Sequence, residues 1–219
     1  MRHMSLVWLP LMAVAMLGNL PAEESAVGEV VSEQVFLAGT WKGLMTEPLP
    51  SAKSSSTCHQ DKGVTAAGAV AMAPATDDQS WADYQVPLPW SRYSGDWPNS
   101  DGEAIFRRRF SVPAAWLDKT VELHLGAIDD LDLTQVNGVT VGSTDARQPG
   151  NWAMKRVYRI PSGVLHAGDN LLCVRVFDNF GEGGLMGPKG DLYLCPMPPV
   201  TSVPAIQAGS PPANTPPGQ

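Results

Sequence analysis

Apolar and polar positions along the chain alternate in short runs. Val121, Leu123 and Leu125 are interleaved with Glu122, His124 and Gly126, the period of two expected of a strand with one buried face. Leu172, Val174 and Val176 repeat that pattern within Leu171–Phe177. In Ile105–Val112, Phe106, Phe110 and Val112 share one face with Arg108, while Arg107 and Arg109 face the other way. Val136-Asn137-Gly138-Val139 sets Asn-Gly between two β-branched residues, the strongest short-range hairpin signal, because a type I′ turn needs φ > 0 at both central positions. Ser32–Leu44 reads as a first strand, Arg156–Pro161 as a later one, and Gly190–Leu194 as a closing strand. Amphipathic helical periodicity is almost lacking. Short strands at regular spacing with Gly, Asn and Pro turns specify an all-β sandwich.

The punctuation between strands sets the boundaries. Met1–Ala22 has Arg2, an apolar run over Leu6–Leu17 and a small-residue processing region, which reads as an export signal. Its apolar run is shorter than the ~20 residues a membrane-spanning helix needs. The sandwich is expected over residues 28–195. Residues 45–76, rich in Ser, Ala, Gly and Pro with weak periodicity, read as a flexible insertion within it. Residues 196–219 carry little that can pack and read as a disordered Pro-rich tail. Tyr93–Asn99 and the glycine-rich stretch Asp178–Gly184 are loops.

The composition is that of an ordinary globular chain with 43% hydrophobic residues, and it carries seven Trp against five Phe and four Tyr. A net charge of −7 disfavours nucleic acid and anionic membrane surfaces, and the three arginines at 107–109 are split over two strand faces. A buried arginine is instead expected to pair with Asp129, Asp130 or Asp178. Export implies an oxidising compartment, so the chain reads as secreted or periplasmic. Cys58, Cys173 and Cys195 are an odd number, compatible with one bridge or none. Cys58-His59 lacks the further ligands of a zinc site, so no metal is assigned there.

FRRRFSVPAAW, then VELHLGAIDDLD, then VNGVTVG, together with Asp77–Trp81, Arg156–Pro161, Gly168–Asp178 and Gly183-Gly184-Leu185, resemble the sugar-binding domain of family 2 glycoside hydrolases. The version inside secreted sialate O-acetylesterases is similar as well. The resemblance implies a galactose-binding-like jelly-roll β-sandwich, and an accessory module rather than an enzyme. In those hydrolases the acid/base carboxylates belong to a separate barrel domain. The Gly-Asp-Ser block of the acetylesterases has no counterpart either, since Gly168-Asp169-Asn170 lacks the serine. No G-x-S-x-G elbow occurs in the chain.

Three readings of function remain open at this point. They are a non-catalytic carbohydrate-binding module with a separate catalytic subunit, a glycan-acting hydrolase (glycosidase or acetylesterase), and a structural sandwich without sugar affinity. A pyranose needs an apolar platform and a few converging polar groups. Trp90, Trp97 and Trp152 are the expected platforms, and Asp130, Asn137, Arg156, Asp178 and Glu182 the polar candidates, each in or beside a turn. No cofactor is expected. The acidic run Ile128–Asp132 suits either a structural pairing with an arginine, plausibly Arg107 or Arg156, or a structural Ca²⁺.

Overall fold

The computed structural model describes residues 33–95 and 97–198. The expected export signal, the start of the sandwich at 28–32 and residues 199–219 of the tail lie outside the described residues. In chain order the elements are β1 (Val35–Phe36), β2 (Gly39–Pro50), α1 (Ala66–Met72), β3 (Ala82–Val86), β4 (Ser100–Phe110) and β5 (Val121–Asp129). They continue with β6 (Leu131–Val136), β7 (Val139–Thr144), β8 (Lys155–Ile160), β9 (Asn170–Asp178), β10 (Gly184–Met186) and β11 (Leu192–Pro196).

Two antiparallel sheets form the all-β sandwich that the alternation specifies. The six-stranded sheet runs β3-β2-β4-β9-β6-β7. In the five-stranded sheet β5 is central: β8 pairs along one edge, while β11 and β10 follow one another along the other, and β1 extends β11. Trp41, Trp90, Trp116, Phe106, Leu123, Leu125, Val174 and Val176 fill the space between the sheets. Burying a side chain of this kind stabilises the fold by about 1.5–3 kcal/mol before entropy is counted.

The Asn-Gly hairpin forms between β6 and β7. Val136 pairs with Val139, and Asn137 and Gly138 sit at φ 52° and 82°. The Asn137 side chain is spent inside the protein: its amide donates to Val164 O at 2.8 Å and its oxygen accepts from Leu171 N at 2.8 Å. It therefore holds the turn, and is not available to a ligand as the sequence suggested.

The flexible insertion expected over 45–76 is instead ordered. β2 continues to Pro50, and α1 lays Ala71 and Met72 over Ile105 and Cys173 on the outer face of the six-stranded sheet. Two buried arginines fasten it. Arg175 reaches Asp61 Oδ1 at 2.7 Å and Gly63 O at 3.0 Å, and Arg107 donates to Ala71 O at 2.8 Å and Ala73 O at 3.1 Å. A reading by composition missed this, since the energy comes from charges placed on distant strands rather than from local periodicity. Arg107 also pairs with Asp78 at 2.8 Å, and not with Asp129, Asp130 or Asp178. Cys173 belongs to this small outer core, where burial pushes its thiol up to about 12. All three cysteines are free.

Candidate functional site

One end of the sandwich gathers Asp101, Asp129, Asp130, Asp178 and Glu182. Strand pairing brings them there: Gly102 pairs with Asp178, and Asp129 with Gly184. A single buried guanidinium organises the neighbourhood. Arg156 donates from Nε to Asp132 Oδ1 at 2.9 Å, and from Nη2 to Ile128 O at 2.8 Å and Asp130 O at 2.7 Å. Its Nη1 donates to Asn151 O and Met154 O, so the backbone on both sides of Trp152 is tied to the acidic run. The expected arginine is thus present, but its carboxylate partner is Asp132. All of its donor groups are used internally, which corrects its assignment as a ligand contact.

The carboxylates beyond Arg156 are poorly compensated. Asp130 accepts from Asn179 N at 2.9 Å. Asp178 is fully buried; Oδ1 accepts from Phe180 N at 2.9 Å, and Oδ2 has no protein partner. Asp101 accepts from Ala52 N at 2.8 Å through Oδ2, and its Oδ1 is likewise unpartnered. Burial and the charges of Asp101 and Asp130 push Asp178 up to about 9. Asp129 rises to about 8 through burial, the neighbouring Asp130 and Glu182. Burial and mutual repulsion thus favour the protonated carboxyl at both Asp129 and Asp178.

Next to it opens a cleft of about 460 Å³, lined by His59, Gln60, Asp61, Asp145, Arg147 and Asn179 among others. Its size falls in the range of small-molecule sites. Asn179 joins the two regions, because its N–H meets Asp130 and its carbonyl accepts from His59 N at 2.8 Å. His59 Nε2 lies 3.6 Å from Asp101 Oδ2. Sequence reasoning missed the cleft, since one wall is the segment read as flexible. The usable signal was Asp61-Lys62-Gly63, a turn in which Gly63 N donates to Asp61 Oδ1 at 2.8 Å.

The three tryptophan platforms separate sharply. Trp90 is 1% and Trp97 7% exposed, both within an aromatic cluster with Tyr84, Tyr93 and Phe106, so neither presents a ring face to a ligand. Trp152 is 59% exposed. The glycine-rich loop serves the core as well: a Cβ on Gly183 would lie 2.0 Å from the Trp90 ring. Glu182 is exposed beside it and accepts from Ser91 Oγ at 2.7 Å. Of the expected site residues, Asp130, Asp178 and Glu182 come together, Trp152 is tethered to them through Arg156, and Asn137 does not join them. Among the described residues, the one set of three ligating groups whose donor atoms lie within 4.8 Å of one another is Glu122, His124 and Cys195.

No protein-family model matches the chain, and no curated protein matches it. The fold is shared with solved structures. A β-glucuronidase of Bacteroides uniformis superposes with a TM-score of 0.53 at 21% identity, over 76% of this chain and 18% of that one. The β-glucuronidase of Ruminococcus gnavus, in complex with D-glucuronic acid, gives 0.58 at 13% identity, over 79% and 31%. One from an uncultured Clostridium sp. gives 0.55 at 15% identity, over 79% and 30%. The chain thus spans less than a third of the length of these neighbours. What the likeness shows is the fold, an all-β sandwich of two antiparallel sheets.

Proposed function

We propose that this chain is a secreted or periplasmic, non-catalytic carbohydrate-binding module, working beside a separate catalytic unit that processes glycans. The observation that carries the reading is the polar cleft contiguous with the acidic end, on a sandwich whose fold recurs as a part of β-glucuronidases. Loops at one end of a rigid sandwich are where such a site is built. The narrower likeness to the module inside sialate O-acetylesterases belongs to this proposal too, on the motifs that carry it.

Chemistry narrows the ligand. Asp129 and Glu182, the accessible carboxyl groups of this end, suit sugar hydroxyls, which donate to carboxylates and accept from protonated carboxyls. A uronate or sialate would add another negative charge, at a cost of roughly 4 kcal/mol per ionised neighbour ~4 Å away in a surface environment. Neutral or amino sugars are therefore favoured. Among the described residues that line the cleft, Arg147, whose charge is offset by Asp145, is the one arginine or lysine. Affinities of this class are millimolar to micromolar, about 4–8 kcal/mol.

Calorimetric titration with neutral galactosides and plant oligosaccharides, against sialosides and glucuronides, tests the reading. Parallel assays follow hydrolysis of aryl-glycosides and aryl-acetates. Saturable binding of neutral sugars without turnover is expected. Turnover abolished by Asp129→Asn would make the chain a hydrolase instead, and no binding at millimolar ligand would leave a structural sandwich.

A further inference from the structure

On the outer face of the five-stranded sheet, away from the acidic end, three chemically unlike donors converge. Glu122 and His124 are two residues apart on β5 and so project from the same face; Cys195 on β11 pairs directly with Glu122. His124 Nε2 lies 3.3 Å from Glu122 Oε2 and 4.0 Å from Cys195 Sγ. Five residues of strand, roughly 17 Å, separate His124 from Asp129. This cluster therefore does not belong to the sugar cleft.

Two simpler interpretations fit less well. A cysteine–histidine–acid relay needs the acid on one imidazole nitrogen and the thiol on the other. Here both address the same nitrogen, Nε2, so a proton cannot pass through the ring from thiol to carboxylate. A plain Glu–His ion pair explains the 3.3 Å contact but not the position of the thiol. Three donors around one point is instead the arrangement of a metal's coordination sphere. With Zn–N and Zn–O near 2.0–2.1 Å and Zn–S near 2.3 Å, a tetrahedron has N···O edges of roughly 3.3 Å and S···N edges of roughly 3.6 Å. The first edge is already met, and the second needs a few tenths of an ångström, within reach of a side-chain torsion. Tyr193 stacks on His124 at 4.2 Å with an interplanar angle of 11°, which fixes the imidazole plane.

We propose that Glu122, His124 and Cys195 form a binding site for a borderline-soft divalent cation, zinc in the first instance. The donor set explains the class: thiolate and imidazole select zinc over the hard cations calcium and magnesium. Three protein ligands leave a fourth position for water or an external ligand. His124 also lines a small cavity of about 90 Å³, together with Lys155, Asp191 and Tyr193 among others. Bound metal would clamp β11 to β5, closing the sheet near the end of the described chain.

The full chain, stripped with EDTA and titrated with Co²⁺, tests the site. One equivalent should give the visible bands of tetrahedral cobalt and a near-ultraviolet thiolate-to-cobalt charge-transfer band, both bleached by Zn²⁺. Cys195→Ser should abolish the charge-transfer band, His124→Ala the tetrahedral spectrum, and Cys58→Ser neither. The altered side chains sit on a partly exposed face, so the metal-free variants should melt with the metal-free parent. Absence of bands in the parent chain overturns the proposal without any variant. A charge-transfer band that survives in Cys195→Ser, or is lost in Cys58→Ser, would overturn it as well.

Discussion

Strand β9 carries Arg175 on the outer face of the larger sheet and Asp178 at its end, and the two positions treat buried carboxylates in opposite ways. Around Arg175, burial alone would raise Asp61 and Glu103. The guanidinium, Gly63 N–H and the Thr65 and Thr46 hydroxyls outweigh it and hold both below the usual carboxylate range. Around Asp178 no cation enters. Burial and neighbouring carboxylates act in the same direction, and oxygens of Asp101 and Asp178 are left without protein partners. The first cluster is a structural fastener that docks residues 58–63 onto the sheet. The second stores uncompensated polarity in buried oxygens, at an end of the sandwich that borders a cleft.

The largest effect that separates the two clusters is expected from Arg175→Leu. It leaves Asp61 and Glu103 buried without their cation and should cost about 3–5 kcal/mol of stability by denaturant unfolding. A loss under 1 kcal/mol would mean that the insertion is not held as described. Asp178→Asn is expected to act in the opposite sense. Removing a partly unsatisfied buried acid should stabilise the fold by about 1–3 kcal/mol at pH 8 and have little effect at pH 5.

That pH dependence follows from linkage. Asp129 and Asp178 are raised from an ordinary value of 3.8 to about 8 and about 9. Between those limits the folded chain holds protons that the unfolded chain has released, so stability falls as pH rises toward 9. Asp61 and Glu103 are lowered; their contribution is present above their unfolded values and is lost as pH falls below them. The melting temperature should therefore decline on the alkaline side, and Asp178→Asn should flatten that limb. A melting temperature that rises between pH 6 and 9 would contradict the raised values.

Gly138→Val, remote from either carboxylate cluster, serves as a reference. At φ 82°, with a Cβ placed 2.8 Å from Pro74 Cγ, it should cost about 1–2 kcal/mol and leave the pH profile unchanged. Smallest in stability is Trp152→Ala. Its ring is exposed, so melting should barely move, while sugar affinity should drop about tenfold if the ring is the platform.

These contrasts show what the chain makes legible before folding. Val121–Leu125, Leu172–Val176 and Asn137-Gly138 announced their strands and turn, since each depends on neighbours in sequence. The acidic run was visible as a problem in electrostatics, and Arg156 as part of its answer. What stayed hidden depends on partners far apart in the chain. Asp61 meets Arg175, and His59 meets Asn179, 114 and 120 residues away, so neither periodicity nor composition marks them. Trp90 and Trp97 read as ligand platforms because a connection that faces solvent and one folded into a core share the same local chemistry. Glu122, His124 and Cys195 joined only through the β5–β11 register, which the alternation could not supply.

The direct test of the central claim, that the acidic end and its cleft bind neutral sugar, is an amide-resolved NMR titration of the chain with neutral oligosaccharides to millimolar concentration. Saturable shifts should concentrate at Asp129, Asp130, Arg147 and Asn179, with Asn137 and Leu171 at the far hairpin unmoved. Shifts confined elsewhere, or none at saturating ligand, would contradict it.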